Sequence, residues 1–242
     1  MIMLEESILT VIHKLFPTTI YKDHRETSID EKDMWEKIIL ENLNEQGQTQ
    51  DWLGFSHIHH YEEAKPIFEW IVRGIRRYLM HFNIYSGDID INVTKSFINL
   101  TRDSQTPEHE HSENHITFTY YPHVAQGREQ NLRIYNESFT HPNEPYTHLF
   151  AQLHDGNYNL LNSLSESIII NEGDLIVMPS KLRHSTEHVD GRKAVVGTES
   201  FDKDNLFDSR ICIAGDCVLT KRAGADGLWR LLNPVEEWRK FD

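Results

Sequence analysis

"TPEHEHSENHITFTYY", residues 106–121, places His109, His111 and His115 immediately ahead of a β-branched and aromatic run. In an extended chain successive side chains point to opposite faces, so residues two apart share one. His109 and His111 therefore present both imidazoles to one side at the mouth of a strand. Imidazole nitrogens suit iron, zinc, copper and nickel, and a pair on one rigid element supplies two legs of a metal site that a distant segment has to complete.

The best candidate for the third leg is His184, in "GDLIVMPSKLRHSTEH" (173–188): a Gly-Asp turn, a buried strand, Pro179, and the histidine just beyond. A jelly roll folds a late strand beside an early one, which brings such separated residues to one ion. Arg192 follows eight residues later at the start of "AVVGTES", read here as a strand. If that strand lines the same barrel, Arg192 places a guanidinium inside it as the partner of an acidic co-substrate. "HIHH" at 57–60 has no strand pattern after it and reads as a loop or surface cluster.

Outward from these motifs the period of the chain changes. Residues 30–46, "DEKDMWEKIILENLNEQ", and residues 62–82 carry apolar positions at helical spacing, the latter with Ile67, Ile71, Ile75, Tyr78 and Phe82 on one stripe. After "SGD" at 86–88 the period is two: "DINVTKSFINL", "HITFTYY", "LRIYN", "SIIINEGDLIVM", "AVVGTES" and "RICIAGDCVL" read as strands, the last as a pair with a turn at Gly215. The pattern predicts a mainly β single domain, a jelly roll with two N-terminal amphipathic helices packed on one sheet. Residues 1–85 form its opening strand, around "LFPTTIY", and its helices. Residues 86–200 form the β core and 201–242 a C-terminal extension. Residues 137–165 are loop-like and long enough for a functional insert, with Tyr146, His148, His154 and Tyr158 as lid candidates.

Lys plus Arg is 24 against 38 Asp plus Glu, a formal charge of −14. Such a surface repels phosphate backbones and anionic lipid, which argues against nucleic-acid and membrane partners. Cys212 and Cys217 are too few for a disulfide scaffold and read as structural. No apolar run reaches the ~18 residues of a membrane span. A cytoplasmic, reducing compartment is expected.

These elements, in this order, resemble the iron(II)- and 2-oxoglutarate-dependent oxygenases, in particular a group common in bacteria and tailed phages of cyanobacteria. The resemblance rests on "LFPT" (15–18), "SFIN" (96–99), "HEH" (109–111), "ITFTYY" (116–121), "GDLIVMPSKLRH" (173–184) and Arg192. It implies a double-stranded β-helix with Fe(II) on His109, His111 and His184. It also implies 2-oxoglutarate chelating the iron with its far carboxylate on Arg192, and Asn99 and Tyr121 as polar contacts to the co-substrate. The activity implied is a dioxygenase that hydroxylates a C–H bond of a peptidyl or small-molecule substrate with dioxygen. Three departures stand out: position 111 is His where most of the superfamily has a carboxylate, Ala194 replaces the Ser or Thr two residues after the Arg, and Lys193 adjoins it as a second candidate cation.

The spacing is also similar to that of cupins, in which His115 falls at the position of a fourth ligand, with a role behind the ligands or facing substrate preferred. A cupin-type metalloenzyme that needs no 2-oxoglutarate, and a non-catalytic or virion-associated jelly-roll protein, are the alternative functions.

Overall fold

The computed structural model describes residues 18–48, 57–84, 87–135, 165–195, 199–224 and 231–239, and among them eight strands and two α-helices form the framework. In chain order these are β1 (Tyr21–His24), α1 (Ile29–Glu41), α2 (Lys65–Met80), β2 (Ile89–Thr101), β3 (Ile116–Val124), β4 (Gln130–Tyr135), β5 (Ser165–Ile168), β6 (Asp174–Pro179), β7 (His184–His188) and β8 (Arg210–Lys221). The protein is mainly β, with two antiparallel sheets ordered β1-β6-β3-β8-β2 and β5-β4-β7.

Side-chain parity separates two apolar clusters. Even positions of β8, Cys212 and Ala214, join Tyr121, Ile176 and Met178 of the larger sheet and Leu132 and Ile134 of the smaller one, so this cluster fills the space between the sheets. Odd positions, Ile211, Ile213, Cys217 and Leu219, face the other way and share a cluster with Trp35, Ile38, Ile71 and Ile75 of the helices. A strand covered on both faces has no reason to alternate, which is why 210–219 reads as a nearly continuous apolar run.

The helices form for local reasons. Ser28 caps α1 by accepting from the Glu31 amide, and Asp30 and Glu31 sit at the positive end of its dipole. Pro66 lies in the first turn of α2, where its missing N–H costs nothing. The buried stripe of α2 contains Ile67, Ile71, Ile75 and Tyr78 as expected, but Phe82 lies past the helix end and is exposed. Glu31 is the buried polar tie between layers: it accepts from Tyr120 Oη at 2.6 Å, Trp35 Nε1 at 3.2 Å and Arg25 at 2.7 Å.

Four expectations need correction. Gly215 is no turn: β8 runs straight through it, with Gly215 opposite Ser96 and Phe118. Residues 210–221, expected in a C-terminal extension, form the strand between β3 and β2. "AVVGTES" forms no strand in its described residues, and 196–198 lie outside them. "HSTEH", not foreseen as a strand, is β7. The "LFP" of the opening motif and the lid candidates Tyr146, His148, His154 and Tyr158 also lie outside the described residues. Among those residues no helix is long and apolar enough to cross a membrane.

Candidate metal centre

Backbone pairing closes the gap between the two histidine motifs. His109 and His184 exchange both of their main-chain hydrogen bonds, each at 2.9 Å, as a bridged antiparallel pair whose side chains leave on one side. His111 follows two residues on, its amide held by Ser180 O at 2.8 Å. One ring nitrogen from each of His109, His111 and His184 lies within 4.8 Å of the other two, and this is the only such group of three among the described residues.

Hydrogen bonding on the far side of each ring fixes which nitrogen faces inward. His109 Nδ1 meets Pro107 O at 2.8 Å and His184 Nδ1 meets Leu182 O at 2.7 Å. His111 Nδ1 lies 2.9 Å from Oδ1 and 3.0 Å from Oδ2 of Asp216. A carbonyl or carboxylate only accepts, so every Nδ1 carries a proton, and in a neutral ring of that tautomer Nε2 keeps its lone pair. Yet Nε2 of His109 and Nε2 of His111 stand 3.2 Å apart. With both rings neutral, two lone pairs at that distance repel unless something positive lies between them, and ~3 Å is the separation of two nitrogens each ~2.1 Å from one ion. Burial first, and then the neighbouring His109, push the His184 pKa down to about 3. Burial likewise lowers His109. Neutral imidazoles are the form that ligates, so the donor set fits a divalent transition metal.

Asp216 is fully buried and accepts from Thr117 Oγ1 at 2.6 Å and Lys95 Nζ at 3.0 Å besides His111. Burial raises its pKa, but the donors from His111, Thr117 and Lys95 outweigh it and hold the group below the ordinary carboxylate value. Lys95 reaches it because a β-bulge between Val93 and Lys95 shifts the register of β2 and sets Lys95 opposite Asp216.

The remaining candidates scatter. His115 stands outside the trio, its Nδ1 accepting from the Leu219 amide at 2.9 Å. Asn99 sits opposite Cys212 and donates to Thr106 Oγ1 at 3.0 Å. Tyr121 lies between the sheets, fully buried, its hydroxyl without a close hydrogen-bond partner among the described residues and pushed up to about 12 chiefly by burial. Arg192 lies on no strand: it donates to Gly127 O at 2.7 Å and its guanidinium lies 3.6 Å from Asp103 and 3.7 Å from Asp190. Lys193 beside it is exposed.

Sequence reasoning missed Arg210. It is 1% exposed, on the same face of β8 as Cys212, Ala214 and Asp216, with its guanidinium 4.6 Å over the Tyr121 ring. Thr101 Oγ1, at 3.4 Å, is its side-chain partner, its Nε has none, and no carboxylate pairs with it among the described residues. Position 210 opens an apolar run after "DS", and nothing in that pattern marks an inward cation. The signal that could have found it is strand parity: Arg210 shares its parity with Asp216, not with Ile211 and Ile213.

No family model and no curated protein matches the chain. The structural search finds SnoK, a non-heme alpha ketoglutarate dependent carbocyclase from nogalamycin biosynthesis, at 13% identity and TM-score 0.46, covering 89% of this chain and 87% of that one. The chain resembles 2OG-Fe(II) oxygenases. HygX from Streptomyces hygroscopicus, with iron bound, matches at 14% identity and TM-score 0.41 over 83% of this chain and 82% of the other. An oxidoreductase of the 2OG-Fe(II) oxygenase family from Burkholderia pseudomallei matches at 12% identity and TM-score 0.34, where 64% of this chain spans 57% of that protein.

Proposed function

We propose that the protein is an Fe(II)- and 2-oxoglutarate-dependent dioxygenase of the hydroxylase type, its two sheets forming a double-stranded β-helix. The reading is carried by one observation: one ring nitrogen from each of three imidazoles lies within 4.8 Å of the other two, close enough to share one ion. The order of the sequence motifs supports iron and 2-oxoglutarate as the pair bound there. Bound together, they supply dioxygen activation coupled to oxidative decarboxylation of the keto acid to succinate, the chemistry that hydroxylates an unactivated C–H bond.

The chain's own residues hold and shelter that pair. His109, His111 and His184 would hold the ion through their inward ring nitrogens. Leu132, Ile134, Ile176 and Met178 line the space between the sheets and exclude water. Two arginines compete for the far carboxylate. Arg192 is the one expected from the motif order. Arg210 has the physical argument: a buried guanidinium without a counter-charge costs several kcal/mol, which an entering carboxylate offsets. Tyr121, under Arg210, and Asn99 are proposed as polar contacts to the same ligand. The substrate is proposed to be a small molecule or a peptidyl side chain.

Anaerobic titration of the full chain with Fe(II), with and without 2-oxoglutarate, tests the reading. A visible charge-transfer band that develops only when both are present is the expected result. Iron binding without any such band refutes 2-oxoglutarate as ligand and leaves a cupin-type metalloprotein. Arg210→Met and Arg192→Ala then identify the carboxylate partner: the correct one weakens 2-oxoglutarate at least ~10-fold, the size of a lost charge-assisted bond in a buried site, and leaves iron affinity unchanged.

A further inference from the structure

Two of the three imidazoles are braced by carbonyls and one by a carboxylate. The carbonyl braces are local: Pro107 and Leu182 each stand two residues before the histidine they hold. The brace on His111 comes from Asp216, 105 residues away on the strand between β3 and β2. Asp216 is wholly buried, so its charge acts without much screening by water.

Three neutral imidazoles leave the full charge of a divalent ion uncompensated, and an uncompensated charge in an apolar interior is costly. A ligand set with one directly bound carboxylate removes half of that charge. A carboxylate accepting Nδ1–H of a ligating imidazole acts one ring farther out: it makes Nε2 more basic and sets negative charge behind it. Lys95 works against this, because its ammonium lies 3.0 Å from the same carboxylate and draws on the same charge.

We infer that Asp216 is the charge-supplying positioning residue of the metal centre, compensating the ion through His111 in place of a directly bound carboxylate, with Lys95 limiting how much of that charge reaches it. The inference rests on the reading of His109, His111 and His184 as a metal site.

Co(II) affinity of the full-length protein, measured at fixed pH by competition with a chromophoric chelator, tests it. Asp216→Asn keeps the size of the side chain and an oxygen to accept from His111 Nδ1 but removes the charge; its Co(II) dissociation constant should rise about 10- to 100-fold. Lys95→Met should move the other way, tightening Co(II) by about threefold or more, since the carboxylate then has one competitor fewer. A merely structural Asp216 would make both variants weaken binding together, in step with their melting temperatures. An Asp216→Asn protein that binds Co(II) within threefold of wild type overturns the inference, as does a Lys95→Met protein that binds no more tightly than wild type. Should Asp216→Asn fail to fold, Lys95→Met decides alone by the same sign. His184→Ala separates the two levels: wild-type protein that ignores Co(II) sinks the metal site and the role of Asp216 together. Wild-type binding that His184→Ala abolishes and Asp216→Asn leaves intact sinks only the latter.

Discussion

His59 is half-buried, its backbone N–H donating to Ser96 Oγ at 2.8 Å and its Nδ1 the same distance from that oxygen. Burial first, then the neighbouring rings of His60 and His57, lower its pKa to about 4. The unfolded chain takes up that proton near pH 6.5, the folded one only near 4, so the unfolded state binds more protons in between. The stability His59 contributes is therefore whole above pH 6.5 and is lost as the pH falls toward 4. His59→Gln should flatten the decline of the melting temperature between pH 7 and pH 5, measured in metal-free buffer, and an unchanged slope would show that the ring titrates normally. At this scale the ligands were legible and their supports were not. His109 and His111 declare themselves by spacing and His184 by the Gly-Asp strand before it. Asp216 follows a glycine and resembles half of a turn, and Arg210 resembles a strand's polar end; each acquires its meaning only from what faces it across the sheets.

Among the elements, the period of the apolar residues foretold both helices and β2, β3, β4 and β6, because each buries one face or two against an apolar layer. β7 escaped because its buried positions His184, Thr186 and His188 are polar and leave no apolar period to read. β8 was divided at Gly215, whose glycine answers a packing demand: a Cβ there would lie 2.7 Å from the Lys95 carbonyl oxygen and run into the Phe118 ring. Gly173 is the contrasting case, a true turn glycine at φ +86 with its amide donating to Tyr121 O at 2.7 Å. The tie between the helical layer and the sheet is Glu31, whose removal takes an acceptor from Tyr120, Trp35 and Arg25 at once. Glu31→Ala should cost about 3 kcal/mol in chemical denaturation, the range for a buried charged acceptor with several donors. A loss below about 1 kcal/mol would mean the helix is held by its apolar face alone.

For the whole molecule, ligands drawn from separate segments make metal binding and folding one equilibrium. A divalent ion that binds only the folded chain stabilises it by about 2.7 kcal/mol at a hundred times its dissociation constant. The melting temperature should therefore rise with added Co(II) or Fe(II), return on chelation, and stay flat in His184→Ala. A flat response in wild type would show that the imidazoles meet no ion. The two-sheet architecture was readable because most strands announce themselves, whereas the sheet order was not, since it depends on where the last long strand inserts.

That insertion has a consequence for biosynthesis. Two imidazoles find their props within their own loop or turn as soon as it forms, but the prop of the third is encoded more than a hundred positions downstream. Until that late strand has left the ribosome and slotted between its two older neighbours, His111 has nothing to set its tautomer. On the proposed reading of the trio as a metal site, the third ligand is thus the last to be fixed.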